Sequence, residues 1–274
     1  MTLTTALSHG AALLAHLPTA RRDAEFLLLR ATETDRAFLL THPESTLTPD
    51  QQSTYEQWLT RRAQHEPIQY IIGEQEFYGL TLRVTPEVLI PRPETEHLVE
   101  ALLHRVPKEA PLRIADIGTG SGAIAIALAH HLPNASVTAL DNSTAALAIA
   151  QQNSQRHNLT ARIRFLQSDL LNAVAGERFD AIVSNPPYVP DSEILEPQVR
   201  NFEPHTALYA GPTGLDIYQR LIPQAEKALT PHGWLLLEIG HGQRDALAEL
   251  LEPWNEIEFV SDLQGIPRVA IARR

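Results

Sequence analysis

Arg113-Ile114-Ala115-Asp116-Ile117-Gly118-Thr119-Gly120-Ser121-Gly122 is the stretch on which the fold turns. A short strand pattern stops at a glycine-rich turn, and the turn opens a helical run. Glycines there take up backbone conformations that a side chain forbids and let the main chain approach a ligand closely. Downstream the same alternation repeats. Strands are predicted at 113–117, 135–140, 162–167, 179–184, 233–239, 256–261 and 267–272, and helices near 122–132, 143–157, 214–229 and 242–252. Alternating β and α units mean an α/β domain with a mainly parallel sheet of seven strands. Only the turn Asp262 to Ile266 separates the last two strands, so they must form an antiparallel hairpin at the sheet edge.

Upstream of this domain the character changes twice. Residues 1–70 read as a small helical bundle. Thr19 is positioned to cap a helix carrying Ala24, Phe26, Leu27 and Leu28. Thr48-Pro49-Asp50-Gln51 is a helix start, and Tyr55, Trp58 and Leu59 then share one face. Residues 71–90, with Ile71-Ile72-Gly73, Phe77-Tyr78-Gly79-Leu80 and Leu82-Arg83-Val84, alternate with turn residues and predict a β-hairpin linker. Residues 91–274 form the α/β domain, entered through Pro93 and Glu94 into a helix with Leu98, Val99, Leu102 and Leu103 on its apolar face.

Composition narrows the partners. The chain has 274 residues and no cysteine, which excludes disulfides, thiolate metal sites and cysteine nucleophiles and fits a cytoplasmic protein. Net charge is −11, so there is no basic field for gripping duplex nucleic acid, and no direct nucleic-acid partner is expected. The run Ala6 to Leu17 lacks a basic leader and reads as an amphipathic helix. No apolar stretch approaches the ~20 residues needed to span a bilayer. The twelve histidines show no metal-ligand spacing.

The chemistry lies at strand ends. Asp141 closes the second strand of the domain, where a carboxylate accepts hydrogen bonds from both hydroxyls of a ribose. The turn reads G-x-G-x-G, not the dinucleotide pattern G-x-G-x-x-G, and Asp116 stands two residues before its first glycine. An acidic residue there opposes a pyrophosphate but suits a cofactor bearing an amino group. S-adenosylmethionine has that amine and a sulfonium, and no phosphate. Asp169 and Leu170 end the third strand and are placed to flank an adenine, although an ordinary polar strand end reads equally well.

Asn185-Pro186-Pro187-Tyr188 follows the strand Phe179 to Ser184. Two prolines end the sheet pairing and fix the carbonyl directions. An Asn oxygen, a backbone carbonyl and a flat ring thus converge on one planar group bearing an NH2. The expectation is that Asn185 and Pro186 supply the acceptors for such a group and that Tyr188 packs on its plane.

These stretches, with Asp23-Ala24-Glu25, Pro67 to Gly73, Ile90-Pro91-Arg92-Pro93-Glu94-Thr95-Glu96, Phe202-Glu203-Pro204 and Ala207-Leu208, resemble the HemK/PrmC family over nearly the whole chain. That family comprises the protein-(glutamine-N5) methyltransferases of peptide chain release factors, within the class I S-adenosylmethionine-dependent methyltransferases. The resemblance implies a Rossmann-like seven-stranded sheet and methylation of the glutamine in a Gly-Gly-Gln tripeptide, with S-adenosylhomocysteine as product. It implies an enzyme whose partner is a release factor; a monomer is expected, although the sequence does not fix the oligomeric state. It also implies that Asp116, Gly118, Thr119, Gly120, Ser121, Gly122, Asp141, Asp169, Leu170 and Asn185 line the cofactor, and that Asn185 to Tyr188 hold the glutamine amide. Relatives often carry an aromatic residue at the Leu170 position. Arg92 is expected near the substrate, although helix-start electrostatics account for Arg92 and Glu94 equally well. Glu203 either anchors the loop after the motif or meets substrate. Two rivals remain open at this point: an adenine-N6 nucleic-acid methyltransferase, since adenine also presents a planar NH2, and a binding module without transfer.

Overall fold

The computed structural model describes residues 1–274. In chain order the elements are α1 (Leu3–Leu13), α2 (Ala20–Thr32), α3 (Arg36–Thr41), α4 (Pro49–Ala63), α5 (Ile68–Ile72), β1 (Glu74–Phe77), β2 (Leu80–Arg83), α6 (Pro93–Leu103), β3 (Arg113–Ile117), α7 (Ala123–His131) and β4 (Ser136–Asp141). There follow α8 (Thr144–Arg156), β5 (Ile163–Gln167), β6 (Phe179–Ser184), α9 (Pro197–Phe202), α10 (Asp216–Ala228), β7 (Leu229–Glu238), α11 (Arg244–Leu250), β8 (Asn255–Ser261) and β9 (Pro267–Arg273). The chain divides into two compact units, Met1–Gly73 with Leu195–Phe202, and Glu74–Ile194 with Glu203–Arg274.

The first unit is helical. Its core gathers Leu3, Ala6, Leu7, Leu14, Leu27, Leu28, Tyr55 and Leu59. The helix start at Thr48 forms as expected. The Thr48 hydroxyl accepts from Gln51 N–H while the Gln51 side chain accepts from Thr48 N–H, a reciprocal cap worth about 1 kcal/mol. Thr19 stands at the start of α2 but does not cap it; its hydroxyl donates to Asp23 Oδ2 at 2.8 Å. Ile71 and Ile72 lie in the helical turn α5, not in a strand, and Gly73 ends that turn in a left-handed conformation. Tyr70 and Ile71 N–H donate to Pro67 O, and Gly73 N–H donates to Gln69 O. Ile71 is also buried in the helical core, so the backbone bonds and packing of this stretch are met in the turn despite the strand preference of β-branched residues.

The second unit carries the antiparallel pair β1–β2 and a seven-stranded sheet in the order β5-β4-β3-β6-β7-β9-β8. All neighbours pair in parallel except β9, which runs antiparallel to both β7 and β8. Strand residues alternate between two cores. Ile114, Ala181 and Val183 face one side with α6 and α7. Ala115, Ile117 and Ile182 face the other with α10 and α11, joined by Phe179 because the register of β6 shifts between Phe179 and Ala181. α7 is buried along its whole first seven residues, Ala123 to Ala129, which is why it is apolar all round. β7 begins four residues earlier than its apolar run suggests, because Leu229 pairs with Phe179 before the register shifts and Trp234 takes up Ala181. The order of strands reverses between β3 and β6, and a sheet of this type leaves its ligand crevice at the carboxyl ends of those two strands.

Candidate active site

A cavity of about 450 Å³ opens at that reversal point, within the volume range of small-ligand sites. Its walls include Ile117, Gly118, Gly120, Asp141, Ser168, Asp169, Leu170, Asn185, Pro186 and Pro187. Each is a strand end or the turn after one. Ser184 Oγ donates to Ile117 O at 2.7 Å, tying the ends of β6 and β3 together beneath the cavity.

The glycine turn is held from below. Gly118 N–H and Thr119 N–H both donate to Leu140 O, at 2.8 and 2.9 Å. Gly118 has φ +72°, and it lines the cavity opposite the Asn185 backbone. Gly122 has φ +84°, and a Cβ there would lie 3.0 Å from Ile126 and 3.1 Å from Ala150, so this position closes the packing of α7 on α8. Thr119, Ser121 and Gly122 support the turn and are not cavity walls.

Two carboxylates grip this turn. Asp141 Oδ2 accepts from Gly120 N–H at 2.8 Å and Oδ1 accepts from Ser143 N–H at 2.8 Å. Burial raises its pKa, and the backbone donors of Ser143, Gly120 and Asn142 oppose the rise. With three backbone donors on its two oxygens, the carboxylate retains acceptor capacity for one further donor at the cavity wall.

Asp116 is fully buried. Its Oδ2 accepts from Thr119 Oγ1 at 2.7 Å and from Ala125 N–H at 3.1 Å, whereas Oδ1 has no partner. Burial pushes its carboxyl up to about 7, against the hydrogen bonds from Thr119 and Ala125. The folded protein therefore holds a proton that the unfolded chain, near 3.8, has released. This contribution to stability is complete below about pH 4 and is lost as pH rises through about 7. Asp116→Asn should remove that loss, so its stability relative to the parent should rise between pH 5 and pH 8 in urea unfolding. A gap that does not change with pH would contradict the assignment.

At the third strand end, Asp169 pairs with Arg220 of α10, and both line the cavity. Leu170 takes φ +52°, rare for a branched side chain, and forms part of the same wall.

Asn185 Nδ2 donates to Thr95 Oγ1 at 3.0 Å, and Thr95 is buried at the start of α6. The amide nitrogen is therefore occupied and the amide oxygen is left available beside the Pro186 and Pro187 walls. Tyr188 is not a cavity wall. Its ring lies so close to Gly240 that a Cβ there would fall 2.9 Å from Cδ2, and its hydroxyl donates to Glu238 Oε1 at 3.4 Å. Arg92 likewise lies outside the cavity walls and pairs with buried Glu203, which also accepts from Ile90 N–H at 3.1 Å. Glu203 thus ties the Ile90-Pro91-Arg92 stretch to the chain after α9.

Sequence reasoning missed the support behind the motif. Gln243 Nε2 donates to Tyr188 O at 3.0 Å and to Gly214 O at 3.3 Å, while its Oε1 accepts from Gly240 N–H at 2.9 Å. Gly214 has φ +73°, and a Cβ on it would sit 2.2 Å from Tyr188 O. Gly214→Ala should therefore cost about 1–3 kcal/mol through overpacking. Gly242→Ala, also at positive φ but with nothing within 4 Å, should cost only the backbone strain, about 1 kcal/mol. Thermal unfolding of the two variants checks the difference. Glu238 did carry a signal: it ends the apolar run Trp234 to Leu237 as Asp141 ends its strand.

Residues 5–73 match the family described as PrmC N-terminal domain, and residues 95–202 match the methyltransferase small domain. The chain is 49% identical over 263 residues to the release factor glutamine methyltransferase of Koribacter versatilis (strain Ellin345), covering 95% of this chain and 93% of that one. It is 44% identical over 258 residues to the release factor glutamine methyltransferase of Coxiella burnetii (strain RSA 493 / Nine Mile phase I), covering 93% and 92%. Among solved structures, the ribosomal protein L11 methylase of Lactobacillus delbrueckii subsp. bulgaricus shares the fold with a TM-score of 0.50 and 27% identity, over 67% of this chain and 80% of that one.

Proposed function

Because this chain belongs to the release factor glutamine methyltransferase family, we propose that it methylates the side-chain amide nitrogen of the glutamine in a release factor's Gly-Gly-Gln tripeptide, with S-adenosylmethionine as donor. The observation that carries this reading is the fixed Asn185 amide. With Nδ2 held by Thr95, Oδ1 is the end that remains to accept an N–H.

The cavity residues suit the donor. Asp141 offers its remaining acceptor direction to a ribose, and Asp169 and Leu170 flank an adenine. Asp116, fully buried and not itself a cavity wall, supports the glycine turn from beneath. The electrophile that the donor supplies when bound is a sulfonium methyl.

A glutamine amide nitrogen is a poor nucleophile because its lone pair is delocalised into the carbonyl. Asn185 Oδ1 and the Pro186 carbonyl each accept one N–H, which orients the NH2 and stabilises positive charge as it develops on nitrogen. The two prolines hold these acceptors without reorganisation. Positioning supplies the rate more than proton transfer does: the glutamine nitrogen bonds to the methyl as the methyl–sulfur bond breaks, with S-adenosylhomocysteine as leaving group, and the amide proton then passes to solvent. Tyr188, Gln243 and Gly214 brace the loop from behind, and Arg92 with Glu203 fixes the chain leading into α6. Residues 1–70 are assigned to recognition of the protein substrate, 71–90 to a linker and 91–274 to transfer.

An assay with labelled S-adenosylmethionine tests the reading. Label should enter a purified release factor and should vanish when its Gly-Gly-Gln glutamine is replaced. Label in DNA or RNA instead, or donor binding without transfer, would overturn it.

A further inference from the structure

The wall formed by Asp169 and Leu170 stands in a backbone conformation that its sequence disfavours. Leu170 has φ +52°, where leucine is rare unless its surroundings hold it there. The hold comes from α10. Ile217, Arg220 and Gln224 fall on one face of that helix, at i, i+3 and i+7. The first two line the cavity, and Gln224 does not. Gln224 Oε1 accepts from Leu171 N–H at 3.1 Å, and Arg220 pairs with Asp169. The residues on either side of Leu170 are thus held by side chains one helical turn apart. We propose that Gln224 is a positioning residue for the methyl donor, fixing the turn at Leu170 so that the leucine side chain stays against the adenine. The proposal rests on the reading of this cavity as the S-adenosylmethionine site.

The peptide between Leu170 and Leu171 is planar, so the dihedrals of Leu170 set where Leu171 N–H points. Ser168 N–H donates to Asp141 O at 2.9 Å, which anchors the near side of the turn to the end of β4. With Leu171 N–H kept on Gln224, both sides are fixed, and Leu170 must take the φ that joins them. Asn172 N–H closes the turn on Asp169 O at 3.2 Å, and Leu171 has φ −91° and ψ 7°. A positive φ followed by these values is the pattern of a type II′ turn, whose first central residue is ordinarily glycine. The same second residue also serves a type I turn, with φ of about −60° at the first. Leucine favours that form, and taking it would carry its side chain away from the cavity wall.

The other contacts of the turn do not replace Gln224. The Asp169 and Arg220 side chains are 51% and 48% exposed, and an ion pair so solvated adds little hold. Ala173 N–H donates to Ser168 Oγ at 3.0 Å, which closes the loop without touching the Leu170–Leu171 peptide. An acceptor reaching that peptide from α10 is what this turn has in place of a glycine.

The test measures S-adenosylhomocysteine binding by calorimetry in the full chain with Gln224→Leu, Leu170→Asn and the two together. Gln224→Leu removes the acceptor and should raise the dissociation constant about tenfold, the scale of one strained residue released. Asparagine tolerates positive φ without outside help. In the Leu170→Asn background, Gln224→Leu should therefore cost less than about threefold, so the two changes are coupled. At saturating donor, kcat and the KM for the release factor should stay within about threefold of the parent in Gln224→Leu. Hydrogen exchange in the protein without donor gives a readout independent of binding and transfer. The Leu171 amide should exchange at least about tenfold faster in Gln224→Leu, while the Ala173 amide keeps its parent rate. An unchanged Leu171 amide, an equal cost of Gln224→Leu in both backgrounds, or a loss confined to kcat would each overturn the proposal. If exchange and coupling come out as expected but no methyl reaches glutamine, the hold of α10 on Leu170 stands and the functional reading is what fails. A parent protein that binds no S-adenosylhomocysteine would overturn both.

Discussion

Asn185→Ala should lower methyl transfer by about 10²–10³-fold, the loss typical of removing one preorganised hydrogen-bond partner of the transition state. The same variant should keep its fold. Asn185 is only half-buried, and its side chain makes a single hydrogen bond, to Thr95. Losing that bond costs about 1 kcal/mol, or a Tm change of about 2–4 °C for a domain of this size. Asn185→Gln sharpens the test. It keeps the amide but pushes it out by one methylene, and a misplacement of about 1 Å in a positioned group is enough to cost about 10²-fold. Donor affinity should change little in either variant, because Asp141, Leu170 and the glycine turn remain. Steady-state transfer to a release factor, thermal unfolding and donor binding on the same preparations separate the effects. If both variants transferred at more than about a fifth of the parent rate, the amide clamp would be the wrong account of Asn185 to Tyr188.

The parts of the site legible in the sequence are those written into local period and punctuation. The strand ends at Ile117, Asp141 and Ser184 fall within a residue of where apolar alternation stops, because a buried strand must end where its polar groups meet a ligand or water. The glycine turn and Asn185-Pro186-Pro187 announce themselves because glycine and proline have few local alternatives. What could not be read is the pairing of side chains far apart in sequence. Thr95 and Asn185 are separated by 90 residues, and Tyr188 and Gln243 by 55. Nothing in the local pattern of either partner announces the other. The expectations for Tyr188 and Arg92 came from their place in a motif, and motif position does not give the direction of a side chain. In the structure one reaches Glu238 and the other Glu203. The N-cap expected of Thr19 failed for the same reason: Asp23, one turn on and already bound to an arginine from another helix, offers its hydroxyl a stronger acceptor.

That aspartate gives the largest effect on stability. Asp23→Ala should destabilise the helical unit by about 3–5 kcal/mol. Asp23 and Arg62 are each 8% exposed, with Arg62 Nε donating to Asp23 Oδ2 at 2.8 Å. Arg62 Nη1 adds bonds to Glu66 O at 3.0 Å and Gln198 Oε1 at 3.4 Å, so the guanidinium binds α2, the turn after α4 and α9 at once. Removing the carboxylate leaves the cation in place, desolvated, with neutral acceptors alone. That penalty far exceeds the value of an exposed ion pair, at most about 1 kcal/mol. The double variant Asp23→Ala, Arg62→Met should recover most of the loss, since an apolar replacement removes both buried charges. Urea unfolding followed by Trp58 fluorescence, with Trp234 and Trp254 replaced by phenylalanine, confines the readout to α4 and its surroundings. A cost below about 1 kcal/mol for Asp23→Ala would show the pair to be solvated in practice. A double variant no more stable than the single one would show that Arg62 contributes by packing and backbone bonds, with its charge secondary.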